Sequence, residues 1–212
     1  MDVYRTTMCQ RGIFDFIRCN SIATKTLSDE KGFLYTQDMR REKIALLTSE
    51  VSELLDAFKK GKGADEEADE IADIAIRLTN IPIMYPGIMD YVSDSNNNYD
   101  QIYTYYIDGV CKGDPLGKVK YAMVYEMSKI IDEIDDDLIH LETFEFNKLQ
   151  SESDEEYSFM PSLIYDIATL ILTCKIYSDE ILGKNLQDLI DRKMAVNFKR
   201  PYRYNTSPKL FV

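Results

Sequence analysis

The chain has no tryptophan, a single histidine and no closely spaced pair of cysteines. Each absence removes a class of chemistry. With His140 alone, neither a His-carboxylate triad nor an H-x-x-x-H metalloenzyme helix can be assembled, so metal chemistry must run on carboxylates. Cys9, Cys19, Cys111 and Cys174 show no C-x-x-C spacing, which argues against a zinc site or a redox pair. Scattered thiols of this kind fit buried core residues in a reducing compartment. Stacking on a flat ring falls to phenylalanine or tyrosine.

No apolar run approaches the roughly 20 residues that span a bilayer, and the opening MDVYRTTMCQ lacks the apolar core of a signal peptide. A cytoplasmic protein is expected. Positive charge is also scarce: 25 Lys and Arg against 37 Asp and Glu leave a formal charge of −12. That balance argues against nucleic acid or an acidic membrane as partner, because both are polyanions. It leaves room for a single nucleotide whose phosphates are held by metal and a few local cations.

What is present is helical periodicity. In residues 43–63, KIALLTSEVSELLDAFKKGKG, the apolar positions 44, 47, 51, 54, 55 and 58 form one stripe. In residues 66–78, EEADEIADIAIRL, nearly everything from Ile71 to Leu78 is apolar except Asp73 and Arg77. That helix should be buried on most sides, with its acidic strip facing inward. Helices are expected over about 12–23, 37–60, 65–80, 115–138, 161–177 and 184–198. Gly61 and Gly63 stop the second, Asp65 caps the third and Pro82 follows its end. Residues 83–113 and the acidic 151–157 read as irregular. The fold class expected is all-α, a helical bundle in a single domain over 1–212. It divides into an acidic-motif half (12–82), an irregular insertion (83–114) and a second half with a basic tail (115–204).

Glu50 and Glu53 stand three residues apart on the second helix, and Glu70 and Asp73 repeat that spacing on the third. Residues i and i+3 are neighbours on a helix surface, so antiparallel packing would bring four carboxylates together. Four anions in a poorly solvated place call for a cation, and an all-oxygen set suits Mg²⁺ or Mn²⁺. The plain alternative is a solvated acidic face with Asp73 and Arg77 as an ordinary i,i+4 pair. Two such pairs on consecutive apolar helices weigh against it. A di-iron bundle is excluded, because no histidine stands in a Glu-x-x-His motif.

The stretch from Arg40 to Leu78, RREKIALLTSEVSELLDAFKKGKGADEEADEIADIAIRL, resembles the core of the MazG-like, all-α nucleoside triphosphate pyrophosphohydrolases. That superfamily includes the dimeric dUTPases and dCTP pyrophosphatases. Gly32-Phe33 sits where many members carry a Gly-aromatic turn, and NFKRPYRY at 197–204 resembles the tail of several members. The resemblance implies hydrolysis of a nucleoside triphosphate to monophosphate and pyrophosphate. It implies Mg²⁺, with Mn²⁺ as substitute, on Glu50, Glu53, Glu70 and Asp73. Glu53 would alternatively orient or deprotonate the attacking water as the catalytic group. The resemblance implies a four-helix core, which the family builds within a dimer or from two helix pairs in one chain, and this leaves a homodimer open.

An internal echo favours the one-chain form. VKYAMVYEMSKIIDEI (119–134) overlays the second helix with Glu126 at the place of Glu50 and Lys129 at that of Glu53. SLIYDIATLIL (162–172) overlays the third with Asp166 at the place of Asp73 and Leu163 at that of Glu70. A pseudo-twofold tandem with one degenerate half is expected. Substrate phosphates would meet Arg77, Lys199, Arg200 and Arg203; base or sugar would meet Phe33, Asn20 and Asn197, with Tyr35 and Tyr202 as further rings. Arg77 serves equally to balance the acidic strip. Glu66 and Glu67 read as an acidic first turn favoured by the helix dipole. The competing class is an inactive MazG-like module acting in dimerisation or regulation.

Overall fold

The computed structural model describes residues 12–31, 39–85, 88, 116–148 and 159–199, and among these there is no strand. The helices are α1 (Ile13–Lys31), α2 (Arg40–Lys59), α3 (Ala64–Leu78), the short α4 (Ile81–Met84), α5 (Leu116–Lys148), α6 (Phe159–Ile176) and α7 (Leu186–Lys199). A π-helical turn, Tyr177–Ile181, extends α6. The all-α class expected from periodicity is the one observed. None of these helices is long and apolar enough to cross a membrane.

Two helical hairpins, α2–α3 and α5–α6, form the centre, with α2 packed on α5 and α3 on α6. The helix α3 lies deepest: Ala68, Ile71, Ala72, Ile74, Ala75 and Leu78 are all fully buried. Burial on most sides is what the apolar run in the sequence implied. The remaining pieces cover this centre, α7 along α3 and α1 against α6 and α4.

The turn after α2 follows its glycines. Gly61 takes φ +61°, its N–H reaching Phe58 O at 3.1 Å, while Lys62 N–H reaches Ala57 O at 3.0 Å. This Schellman arrangement satisfies carbonyls that the helix end leaves over. Asp65 does not cap α3 as expected. The capping position is Gly63 at φ +101°, a conformation only glycine adopts readily, and Asp65 lies one residue inside the helix, paired with Lys184.

Three boundaries differ from expectation. Helix α1 runs eight residues past Ala23 to Lys31 because Thr24 and Ser28 are buried on its inner face, where their polarity hides the period. Ser28 Oγ donates to Thr24 O at 2.7 Å, and the Thr24 and Thr79 hydroxyls meet at 3.0 Å. Helix α5 passes straight through its acidic run to Lys148: Leu138 and Leu141 are core, and Asp135 and Glu142 both bind the buried Arg40. Pro82 stands in the first turn of α4, where a missing N–H costs nothing. The first residues of the expected insertion are core as well, since Met84, Tyr85 and Ile88 are buried. The rest of that segment and 151–157 lie outside the described residues. Of the cysteines, Cys174 is buried as expected, whereas Cys19 is exposed on the outer face of α1.

Candidate metal centre

The short turn of 60–63 returns α3 antiparallel to α2, and the two acidic pairs meet across the seam. Glu50, Glu53 and Glu70 each offer an oxygen, and these atoms all lie within 4.8 Å of one another. Their settings differ. Glu50 is 8% exposed, and Arg77 donates to its Oε1 from Nε at 3.1 Å. Glu53 is exposed at the rim, accepting from Ser49 Oγ at 3.2 Å. Glu70 is half-buried between them.

The electrostatics record the crowding. Burial, then the charges of Glu53 and Asp73, push the Glu70 carboxyl up to about 7. Burial also raises Glu50, opposed by the Arg77 guanidinium and reinforced by Asp73 and Glu53. Carboxylates forced together in this way oppose one another's ionisation. Three carboxylate oxygens gathered this closely could hold a metal ion.

Asp73, the fourth expected ligand, is turned to another partner. Lys193 on α7 places Nζ 2.7 Å from its Oδ2 and 3.7 Å from Asp69. The adjacent Arg192 also binds Asp69. The i,i+4 pairing of Asp73 with Arg77 does not form: Arg77 goes to Glu50 and Asp73 to Lys193. Arg77 therefore balances the acidic strip. Lys43, half-buried near Arg77, has its ammonium pushed down chiefly by burial.

The expected substrate contacts separate. Asn20 is buried and exchanges two hydrogen bonds with Gln187, donating at 3.0 Å and accepting at 3.1 Å, and it donates again to Phe16 O at 2.9 Å. Its amide thus ties α1 to α7. Asn197 is half-buried on α7 one turn beyond Lys193, on the same face, and Lys199 ends that helix exposed. Lys199 therefore belongs to the helix and not to an extended tail. Phe33, Tyr35, Arg200, Tyr202 and Arg203 lie outside the described residues.

Sequence reasoning missed Lys193, although it stands on the expected helix over 184–198, four residues before Asn197. It also missed Glu67. Far from a solvated first turn, Glu67 is 4% exposed, and its Oε2 accepts from Lys120 Nζ at 2.6 Å and from Tyr177 Oη at 2.7 Å. Glu66 is exposed, as an acidic first turn would be.

In the second hairpin Glu126 pairs with Lys129 at 3.6 Å. Asp166 is pushed up to about 7 by burial and then by Asp137 and Glu133. The acidic neighbours of Asp166 are thus further along α5 than Glu126. No family model, curated protein or solved structure matches the chain.

Proposed function

We propose that the protein is a Mg²⁺-dependent nucleoside triphosphate pyrophosphohydrolase, releasing pyrophosphate and a nucleoside monophosphate. The observation that carries this reading is the meeting of Glu50, Glu53 and Glu70 within 4.8 Å at the α2–α3 seam, with burial, then Glu53 and Asp73, opposing the ionisation of Glu70. Bound Mg²⁺, or Mn²⁺ in its place, would neutralise the triphosphate and act as a Lewis acid on it.

The chain's own residues divide the remaining work. Glu50 and Glu70, the more buried pair, hold the ion, with Asp73 joining them when Lys193 leaves it. Glu53, exposed at the rim, orients or deprotonates the attacking water. Asn197, on the Lys193 face of α7, is the described candidate for contact with the nucleotide, and Phe33, Lys199, Arg200 and Arg203 are the further candidates. Arg77 favours the ionised form of Glu50 against its burial and orients it. The second hairpin serves as scaffold in a tandem core, a reading supported by the packing of α2 on α5 and α3 on α6. A cytoplasmic location suits such an activity.

One observation favours a silent helical module instead. Arg77 and Lys193 already neutralise Glu50 and Asp73, so two of the four acids are satisfied internally. Pyrophosphate release measured across the common ribo- and deoxyribonucleoside triphosphates with Mg²⁺ separates the readings. Turnover of at least one nucleotide that disappears with EDTA supports the enzyme; no turnover and no Mn²⁺ binding by calorimetry supports the silent bundle.

A further inference from the structure

The second hairpin gathers acids of its own. Glu133 and Asp137 stand one turn apart on α5, and Asp166 of α6 lies against them, its carboxyl within hydrogen-bonding reach of that of Asp137. Cations nearby are committed elsewhere: Lys129 pairs with Glu126, and Arg40 with Asp135 and Glu142. Among the described residues, no ion pair reaches Glu133, Asp137 or Asp166. The other helices packed on α6 add no charge that acts on Asp166. On α3, Arg77 turns to Glu50, Asp73 to Lys193 and Glu67 to Lys120. On α1, Arg18 pairs with Asp15 and Lys25 with Asp29. At the centre of this group, Asp137 Oδ2 is buried and meets no donor.

Two ionised carboxylates cannot bond to each other, since each only accepts. A buried acceptor without a donor is costly. A single proton answers both: protonated, Asp166 donates its O–H to Asp137, and bonds from a hydroxyl to a carboxylate are short and strong. We propose that Asp137 and Asp166 share one proton, and that this proton is a pH-sensitive clasp between α5 and α6. Burial, then the charges of Asp137 and Glu133, push Asp166 up to about 7, so the proton stays where a solvated aspartate would have lost it. A pair this close titrates as a unit. Because the folded-state value lies above the unfolded one, the clasp contributes fully below the unfolded value and is lost as pH rises through about 7. With the proton gone, Asp137 and Asp166 face each other as anions, with Glu133 a third. The seam is partly desolvated, and repulsion there is several times that in water. The clasp is independent of whether the carboxylates of the first hairpin hold a metal.

The experiment uses the full chain with no added ligand. Aspartate carboxyl carbons are followed by nuclear magnetic resonance across the neutral range, and amide exchange along α5 and α6 by mass spectrometry, corrected for the intrinsic effect of pH. In wild type the Asp137 and Asp166 signals should move together, with a midpoint at about 7. Asp137→Asn should lower the Asp166 midpoint by about a unit or more, a roughly tenfold weaker hold on the proton. Glu133→Gln removes a neighbouring charge but not the shared bond, and should lower it less. Exchange at the α5–α6 seam should quicken above the midpoint in wild type and stay level in Asp166→Asn, whose amide donates to Asp137 at every pH. Asp166→Ser, which also keeps a donor, should show the same level exchange and serves if the asparagine variant fails to fold. An Asp166 midpoint that Asp137→Asn leaves in place overturns the shared proton, because burial alone would then hold it. Wild-type exchange that is indifferent to the midpoint overturns the clasp.

Discussion

Tyr177 donates its hydroxyl to Glu67 Oε2 at 2.7 Å, and Lys120 Nζ reaches the same oxygen at 2.6 Å, so one carboxylate joins α3, α5 and the π-turn. Burial, then Glu67, push the tyrosine hydroxyl well above its ordinary range, which keeps it a neutral donor. Lys120 also lies over the Phe58 and Tyr177 rings, at 5.3 and 5.7 Å from their centroids. Glu67→Leu should destabilise the fold by about 3–5 kcal/mol, because it leaves a buried ammonium uncompensated. Tyr177→Phe should cost about 1–3 kcal/mol. The double replacement Glu67→Leu with Lys120→Met should recover much of the loss, since removing both charges also removes their desolvation cost. Urea unfolding of the three variants checks the order.

Glu50→Gln should abolish turnover and leave the fold in place. The carboxylate it removes is desolvated and faces Glu53 and Asp73, so its loss relieves repulsion while costing the Arg77 pair. Stability should stay within about 1 kcal/mol of wild type. Mn²⁺ affinity should fall by more than the roughly 10- to 100-fold that loss of an outer-shell partner costs. Calorimetry and circular dichroism read the two effects separately.

Asp166 gives the stability a pH dependence. Its folded-state carboxyl titrates at about 7, above its unfolded value, so the folded chain binds more protons between the two. Its contribution is fully present below the unfolded value and is lost as pH rises through about 7. Asp166→Asn removes the titration. The variant should therefore gain on wild type between pH 5 and pH 8, by about 1–2 kcal/mol once solvent screening is allowed for. Unfolding midpoints that stay parallel across that range would remove Asp166 as the cause.

Arg200 and Arg203 belong to the proposed phosphate contacts. Cutting the chain after Lys199 should raise KM for the best nucleotide by roughly 10- to 100-fold per lost charge-assisted hydrogen bond. Metal affinity should be unchanged. An unaltered KM in a folded truncated protein would show that these arginines take no part.

Helix existence was legible wherever apolar residues kept the period, as in α2 and α3. Boundaries slipped where polar residues sit on a buried face. Thr24 and Ser28 look like loop residues but satisfy their hydroxyls within the helix bundle. Asp135 and Glu142 look like a solvated run but answer Arg40 from another helix. The acidic trio was visible because i,i+3 spacing is a local property. Who neutralises Asp73 was not, because Lys193 comes from 120 residues away, and nothing in one strand of sequence marks such a partner. Glu67 was misread for the same reason: its partners lie 53 and 110 residues later.

The four residues between α2 and α3 act as a ruler. Gly61 and Gly63, both at positive φ, set how far the chain travels before it turns back, and with that the phase of one acidic stripe against the other. No neighbouring atom would meet a Cβ at either glycine, so the demand there is on backbone angle and not on space. One extra residue in this turn would advance the returning helix by about 100° about its axis. Glu70 would then swing away from Glu50 and Glu53 while every side chain of the trio remained in the sequence. The meeting of the three carboxylates is as sensitive to the length of an exposed turn as to the acids themselves.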